Sequence, residues 1–118
     1  MIQFSEEIKV WVYTGNVDMR KSINGLIMHV VETLELNPQD KALYLFCNKT
    51  RDKLKGLFWH DNGFMMLYKR MEKERFIFPQ DIHRDCIEID NGLLKWLLKG
   101  IDLYKIKQHP ELKYTDCF

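Results

Sequence analysis

Apolar residues recur along this chain with two periods, and the switches between them predict its elements. Ile8-Lys9-Val10-Trp11-Val12-Tyr13 sets Ile8, Val10 and Val12 on one face and Trp11 and Tyr13 on the other, and its β-branched and aromatic content predicts a strand. With Asp18 as N-cap, Ile23, Leu26, Ile27, Val30, Val31 and Leu34 then fall at spacings of three and four. This predicts one long amphipathic helix reaching about Leu36, stopped by Asn37-Pro38. Gly25 inside it costs on the order of 1 kcal/mol against alanine, and points to close packing of the helix on a strand. Ala42 to Cys47 predicts the next strand, with Leu43, Leu45 and Cys47 opposite Tyr44 and Phe46.

The densest pattern runs from Lys53 to Phe78. Two apolar, aromatic-rich runs flank Asp61-Asn62-Gly63, and Asn-Gly suits a two-residue hairpin turn that needs positive φ. That loop would set Trp59 opposite Met66, Leu57 opposite Tyr68 and Lys55 opposite Arg70. One face collects Leu54, Phe58, Met65 and Leu67. The other collects Lys53, Lys55, Leu57, Trp59, Met66, Tyr68 and Arg70, cationic at one end and aromatic at the other. Such a face is either covered by a neighbouring segment or presented to a partner. Arg75-Phe76-Ile77-Phe78 extends the hairpin into a meander with a third strand.

Beyond Pro79, Cys86 to Asp90 reads as a short extended segment and Leu93 to Lys99 as a second helix, capped near Asp90 or Asn91 and stopped by Gly100. The helix is apolar nearly all round, which suits burial or an interface. Together these elements predict an α+β fold: an antiparallel sheet of about five strands, one long amphipathic helix packed on it and a short C-terminal helix. Residues 1–103 form one domain in this reading. Residues 104–118 form a polar tail, mobile or ordered by a partner.

The net charge of +1 conceals an uneven distribution. Residues 1–40 hold three Lys/Arg against six Asp/Glu, residues 41–75 hold nine against four, and residues 76–118 hold six against seven. The hairpin region is thus five units positive, which permits contact with a polyanion. Arg20 and Lys21 would stand in the helix's first turn, against its dipole, where they could meet a phosphate or an acidic group. Lys49 and Arg51 lie in the loop before the hairpin, beside Lys53 and Lys55. The candidate binding set is therefore Arg20, Lys21, Lys49, Arg51, Lys53, Lys55, Trp59, Tyr68, Lys69 and Arg70.

Chemistry of other kinds finds little support in the spacing. His29, His60, His83 and His109 are scattered, and no CxxC, HxH, Walker-type or GxSxG pattern occurs. Asp61, Asp81, Asp85 and Asp90 could meet around a divalent ion, yet no spacing selects them. Cys47, Cys86 and Cys117 are odd in number and far apart, as reduced thiols are. No apolar run approaches the roughly 20 residues of a spanning helix. A cytoplasmic, non-enzymatic protein without metal or cofactor is the resulting expectation.

Two blocks carry a resemblance. Thr14 to Leu26, with Asp18-Met19-Arg20-Lys21 before Gly25-Leu26, and Leu57 to Pro79, with Tyr68-Lys69-Arg70-Met71-Glu72 and Arg75-Phe76, resemble the small TnpB accessory proteins of insertion sequence family sixty-six. These share only a name with the RNA-guided nucleases called TnpB. The resemblance extends from about Val10 to Asp102 and implies an accessory role in DNA transposition, beside a separate DDE-type transposase and a second small protein. It implies no strand-transfer chemistry. Joined to the charge pattern, it gives two expectations: contact with the DNA of the insertion sequence through the basic, aromatic hairpin face, or an adaptor that recruits or regulates the transposase through the Leu93 to Leu98 helix and the basic patch, without binding DNA directly.

Overall fold

The computed structural model describes residues 8–80 and 83–100. Seven elements follow one another: β1 (Lys9–Asn16), α1 (Ile23–Glu32), β2 (Ala42–Cys47), β3 (Lys53–His60), β4 (Gly63–Arg70), β5 (Cys86–Ile89) and α2 (Asn91–Lys99). The five strands form one sheet in the order β4-β3-β2-β1-β5. Three of the four pairings are antiparallel, but β1 and β2 run parallel, so the sheet is mixed and not antiparallel as the sequence suggested. The cause is α1. A helix between two neighbouring strands carries the chain back to the end where the first strand began, and the second must then run in the same direction.

The alternation read from the sequence places both sheet faces correctly. Val10, Val12, Leu43, Leu45, Leu54 and Phe58 face one way, under Phe76, Phe78 and the α2 residues Leu94 and Leu97. Tyr44, Phe46 and Leu57 face the other, under Leu26 and Val30 of α1. Burial on both faces explains why β2 is buried at every position. The expected third strand at Arg75-Phe76-Ile77-Phe78 does not form. This stretch crosses the sheet face instead, buried through Phe76, Ile77 and Phe78, and tied by Phe76 N donating to Arg51 O at 2.8 Å.

Two boundaries also differ from expectation. Helix α1 covers ten residues and starts after Ser22, because Asp18 closes a turn of its own: its carboxylate accepts from Arg20 N at 2.9 Å and its carbonyl from Lys21 N at 3.1 Å. Arg20 and Lys21 therefore precede the helix and escape the dipole conflict. At the other end Glu35 takes a φ of 55°, and Leu36 N donates back to Val30 O at 3.1 Å. In the hairpin, Trp59 pairs with Phe64, Leu57 with Met66, Lys55 with Tyr68 and Lys53 with Arg70. The register is two residues from the expected one because the positive φ falls on Asp61, at 52°, and the loop is Asp61-Asn62 with Gly63 already in β4. An even slip preserves the faces.

Gly25 does not mark close packing on a strand. A Cβ there would meet the Lys21 side chain at 3.4 Å, an ordinary contact. Gly25→Ala is thus expected to stabilise the protein by about 0.5–1 kcal/mol, seen as a higher urea midpoint with unchanged slope. The glycine closely approached by a neighbouring strand is Gly56, where a Cβ would lie 3.1 Å from Leu43 and 3.2 Å from Leu45. The C-terminal tail and Asp81 lie outside the described residues.

Candidate anion-binding groove

Beyond Val12, β1 falls out of step with β2, so that Asn16 and not Thr14 stands beside Cys47. The irregularity delivers residues 16–20 to the end of β2, where Val17 N donates to Cys47 O at 3.0 Å. The loop between β2 and β3 leaves from the same point. Between the two segments runs an open groove of about 420 Å³, lined by Asn16, Asp18, Arg20, Lys49, Thr50 and Lys53 among others.

The loop wall is held by side chains that return to its own backbone. Asn48 Oδ1 accepts from Asp52 N at 3.2 Å and Lys53 N at 3.0 Å, while its Nδ2 donates to Asp52 Oδ1 at 2.7 Å. Thr50 Oγ1 donates to the same carboxylate oxygen at 2.7 Å. Asn48 first, then Thr50, holds the Asp52 carboxyl well below the usual carboxylate range. Positive charge alone singles out only Lys49 and Arg51 in this run. The Asx spacing Asn48-x-Thr50-x-Asp52 was the available signal for a self-bonded loop.

The opposite wall is simpler. Arg20 Nη2 meets Asp18 Oδ2 at 2.7 Å with both side chains largely in water, and the hydrogen bonds from Arg20 hold the Asp18 carboxyl at about 2. Exposed pairs of this kind add little to stability, so a phosphate can exchange for the carboxylate at little cost. Lys53 Nζ lies 3.2 Å from Asp52 Oδ2, and Lys49 makes no ion pair among the described residues. Arg70 stands across the strand pair from Lys53 and reaches Glu72 at 2.9 Å.

The remaining candidate residues are placed otherwise. Lys55 is 9% exposed, and its ammonium donates to Met19 O at 2.6 Å and Lys21 O at 2.8 Å, pinning the turn before α1 to β3. The half-exposed Tyr68 ring lies 5.8 Å from the same ammonium. Lys21 contributes its carbonyl to that anchor. Arg51, at a φ of 62°, lays its guanidinium 5.5 Å from the Phe78 ring, towards the other sheet face. Lys69 also points to that face, donating to Leu98 O at 2.7 Å at the end of α2. Trp59 packs edge-on against Phe64 near the hairpin turn, six residues and roughly 20 Å along β3 from Lys53. The structure therefore gathers Arg20, Lys49 and Lys53 along the groove, sets Arg70 across the strand pair from Lys53, and assigns Lys55, Arg51 and Lys69 to internal contacts.

Other predicted features are equally concrete. Leu94 and Leu97 of α2 turn into the core, with Leu93 and Leu98 packed beside them. Asp90 caps the helix by accepting from Leu93 N at 2.8 Å. His60 lies 3.7 Å from Asp61 in the open. Among the described residues, no three His, Cys, Asp or Glu gather as metal ligands would, and no helix is long and apolar enough to cross a membrane.

Comparison with known proteins gives a consistent family. The family model described as IS66 Orf2-like protein matches residues 8–108. The chain is 32% identical over 111 residues to the uncharacterized protein y4hO of Sinorhizobium fredii, a match covering 94% of this chain and 92% of that one. It is 28% identical over 115 residues to the uncharacterized protein y4jC of the same organism, covering 98% and 97%. No solved structure matches. With both blocks of the resemblance inside the matched region, the chain belongs to the IS66 Orf2-like family of transposition-associated accessory proteins.

Proposed function

We propose that this protein is a non-catalytic accessory factor of transposition that holds the phosphate backbone of insertion-sequence DNA in the groove between residues 16–20 and 48–53. The observation that carries the reading is the convergence of Arg20, Lys49 and Lys53, from segments about thirty residues apart in sequence, on one open groove. Arg70, one strand further out, extends the same positive surface. A backbone is the matching ligand because the groove offers cations and the Asn16 amide. The large aromatic residue Trp59 lies far along β3, which favours phosphate contact over base stacking. The self-bonded loop keeps Lys49 and Lys53 in place before the ligand arrives, which reduces the ordering cost of binding.

The test is a titration of labelled insertion-sequence end DNA with the purified protein across several salt concentrations. Three phosphate contacts predict a slope of log K against log salt of about −2.7. Lys49→Glu/Lys53→Glu, with its fold verified by circular dichroism, is expected to bind at least tenfold more weakly and to flatten the slope to about −0.9. A slope near zero, or a variant that binds as well as the parent, would reject the groove. The reading would then pass to a transposase adaptor, examined by pull-down with the element's transposase and its second small accessory protein.

A further inference from the structure

We infer that β4 is a self-association edge, through which two copies of this chain join their sheets by antiparallel β4–β4 pairing. Strand β4 is eight residues long and, among the described residues, is the last in the sheet order, hydrogen-bonded to β3 on one side only. It contains no proline, and its pairing with β3 runs through eight consecutive residue pairs without a bulge. Edges of that length and regularity are commonly shortened, bulged or covered, because their open N–H and C=O groups template another strand. Among the described residues, β4 shows none of these safeguards along Gly63 to Tyr68.

Its side chains match themselves. Four large hydrophobic residues are left exposed among the described residues, and two of them, Met65 at 39% and Tyr68 at 53%, stand on this strand, on opposite faces of the sheet. A two-fold axis through Met66, normal to the sheet, sets Met66 opposite its own copy, Phe64 opposite the partner's Tyr68 and Met65 opposite the partner's Leu67. Each pair then shares a face, as a pleated sheet requires, and every opposed residue from Phe64 to Tyr68 is apolar or aromatic.

Charge selects the direction and the occupant. Lys69 and Arg70 end the strand, and Asp61 and Asn62 form the turn before its start. Parallel pairing would bring the two basic ends together. Antiparallel pairing separates them by eight residues, roughly 27 Å, and lays each Arg70 opposite the partner's Asn62, next to Asp61. A second copy supplies this complement without further assumption.

The experiment is sedimentation equilibrium on the full chain at about 5 and 100 µM, with two sets of variants. The parent is expected to approach twice its 14.3 kDa chain mass at the higher concentration, and Met65→Lys/Tyr68→Lys, at exposed positions, to remain monomeric with unchanged circular dichroism. In a Cys86→Ser/Cys117→Ser background, Met66→Cys should cross-link to itself on oxidation, since directly opposed strand residues lie within disulfide reach, whereas Lys49→Cys should not. A parent that is monomeric at 100 µM overturns the inference and leaves the edge to a different chain. A dimer that survives the lysine pair, or that cross-links at Lys49→Cys and not at Met66→Cys, overturns it as well.

Discussion

Lys55→Met is expected to lower stability by about 3 kcal/mol and to abolish DNA binding, although Lys55 touches no ligand in the proposed complex. The ammonium is buried beneath the turn before α1 and donates to two carbonyls, Met19 O and Lys21 O, at 2.6 and 2.8 Å. Hydrogen bonds from a charged donor contribute about 1.5–3 kcal/mol each. Methionine keeps the length of the stem but leaves both carbonyls without their donor. The desolvation of the ammonium offsets part of the gain, which is why the net figure lies nearer 3 than 6 kcal/mol. Against a typical domain stability of about 5–15 kcal/mol the loss is large. Urea denaturation measures the first effect. The second follows because Arg20 sits between the two anchored carbonyls, so a released turn carries a groove cation away from Lys49 and Lys53. A stability change under about 1 kcal/mol with full DNA affinity would show that the turn is held by Asp18 and Val17 alone.

Lys55 also shows what a sequence reveals and what it conceals. The strands were legible where alternation was strong: β2 begins and ends where its apolar run does, and the hairpin faces are those read from Leu54, Phe58 and Leu57. Direction was not legible from alternation, which is identical in parallel and antiparallel strands. The helix between β1 and β2 was the evidence for a parallel pair, and it was visible in the chain. Both Asp18 and Ser22 satisfy the preference for an N-cap, and only the turn closed by Asp18 decides between them. The loop Asp61-Asn62-Gly63 contains three residues tolerant of unusual φ, which left the register open by two.

The candidate site was half legible for a similar reason. A sequence displays every cation but not which carbonyl, ring or carboxylate each one satisfies. Lys55, Lys69 and Arg51 are cations like Lys49 and Lys53, yet their charges are directed at Met19 O, Leu98 O and the Phe78 ring. The uncharged Asn16 carried no signal of its own. What brought it into the groove is the loss of step in β1, which no periodicity announces.

Gly100→Ala is expected to cost about 3–4 kcal/mol while leaving the groove intact. Gly100 holds a φ of 74° with ψ at −176°, a region open essentially to glycine alone, and forcing another residue there costs on the order of 1–3 kcal/mol. A Cβ would also collide with Met71 Cε and lie 3.0 Å from Arg75 O. Met71 could rotate, but the Arg75 carbonyl belongs to the backbone that leads into the buried Phe76, which Arg51 O holds. The strain can be relieved only by lifting α2, and with it the Leu97 side chain that fills the core beneath the sheet. Amide exchange should therefore accelerate first in α2, and the urea midpoint should fall. Met71 and Arg75, which a Cβ at Gly100 would meet, lie outside the groove lining, and the loop that adjoins them is held on its other side by the bonds among Asn48, Thr50 and Asp52, so DNA affinity per folded molecule should stay within about twofold of the parent. Lys55→Met and Gly100→Ala thus remove similar stability, but only the first removes binding. If Gly100→Ala lost affinity in proportion to its stability, binding would depend on the whole fold and the assignment of function to the groove would fail.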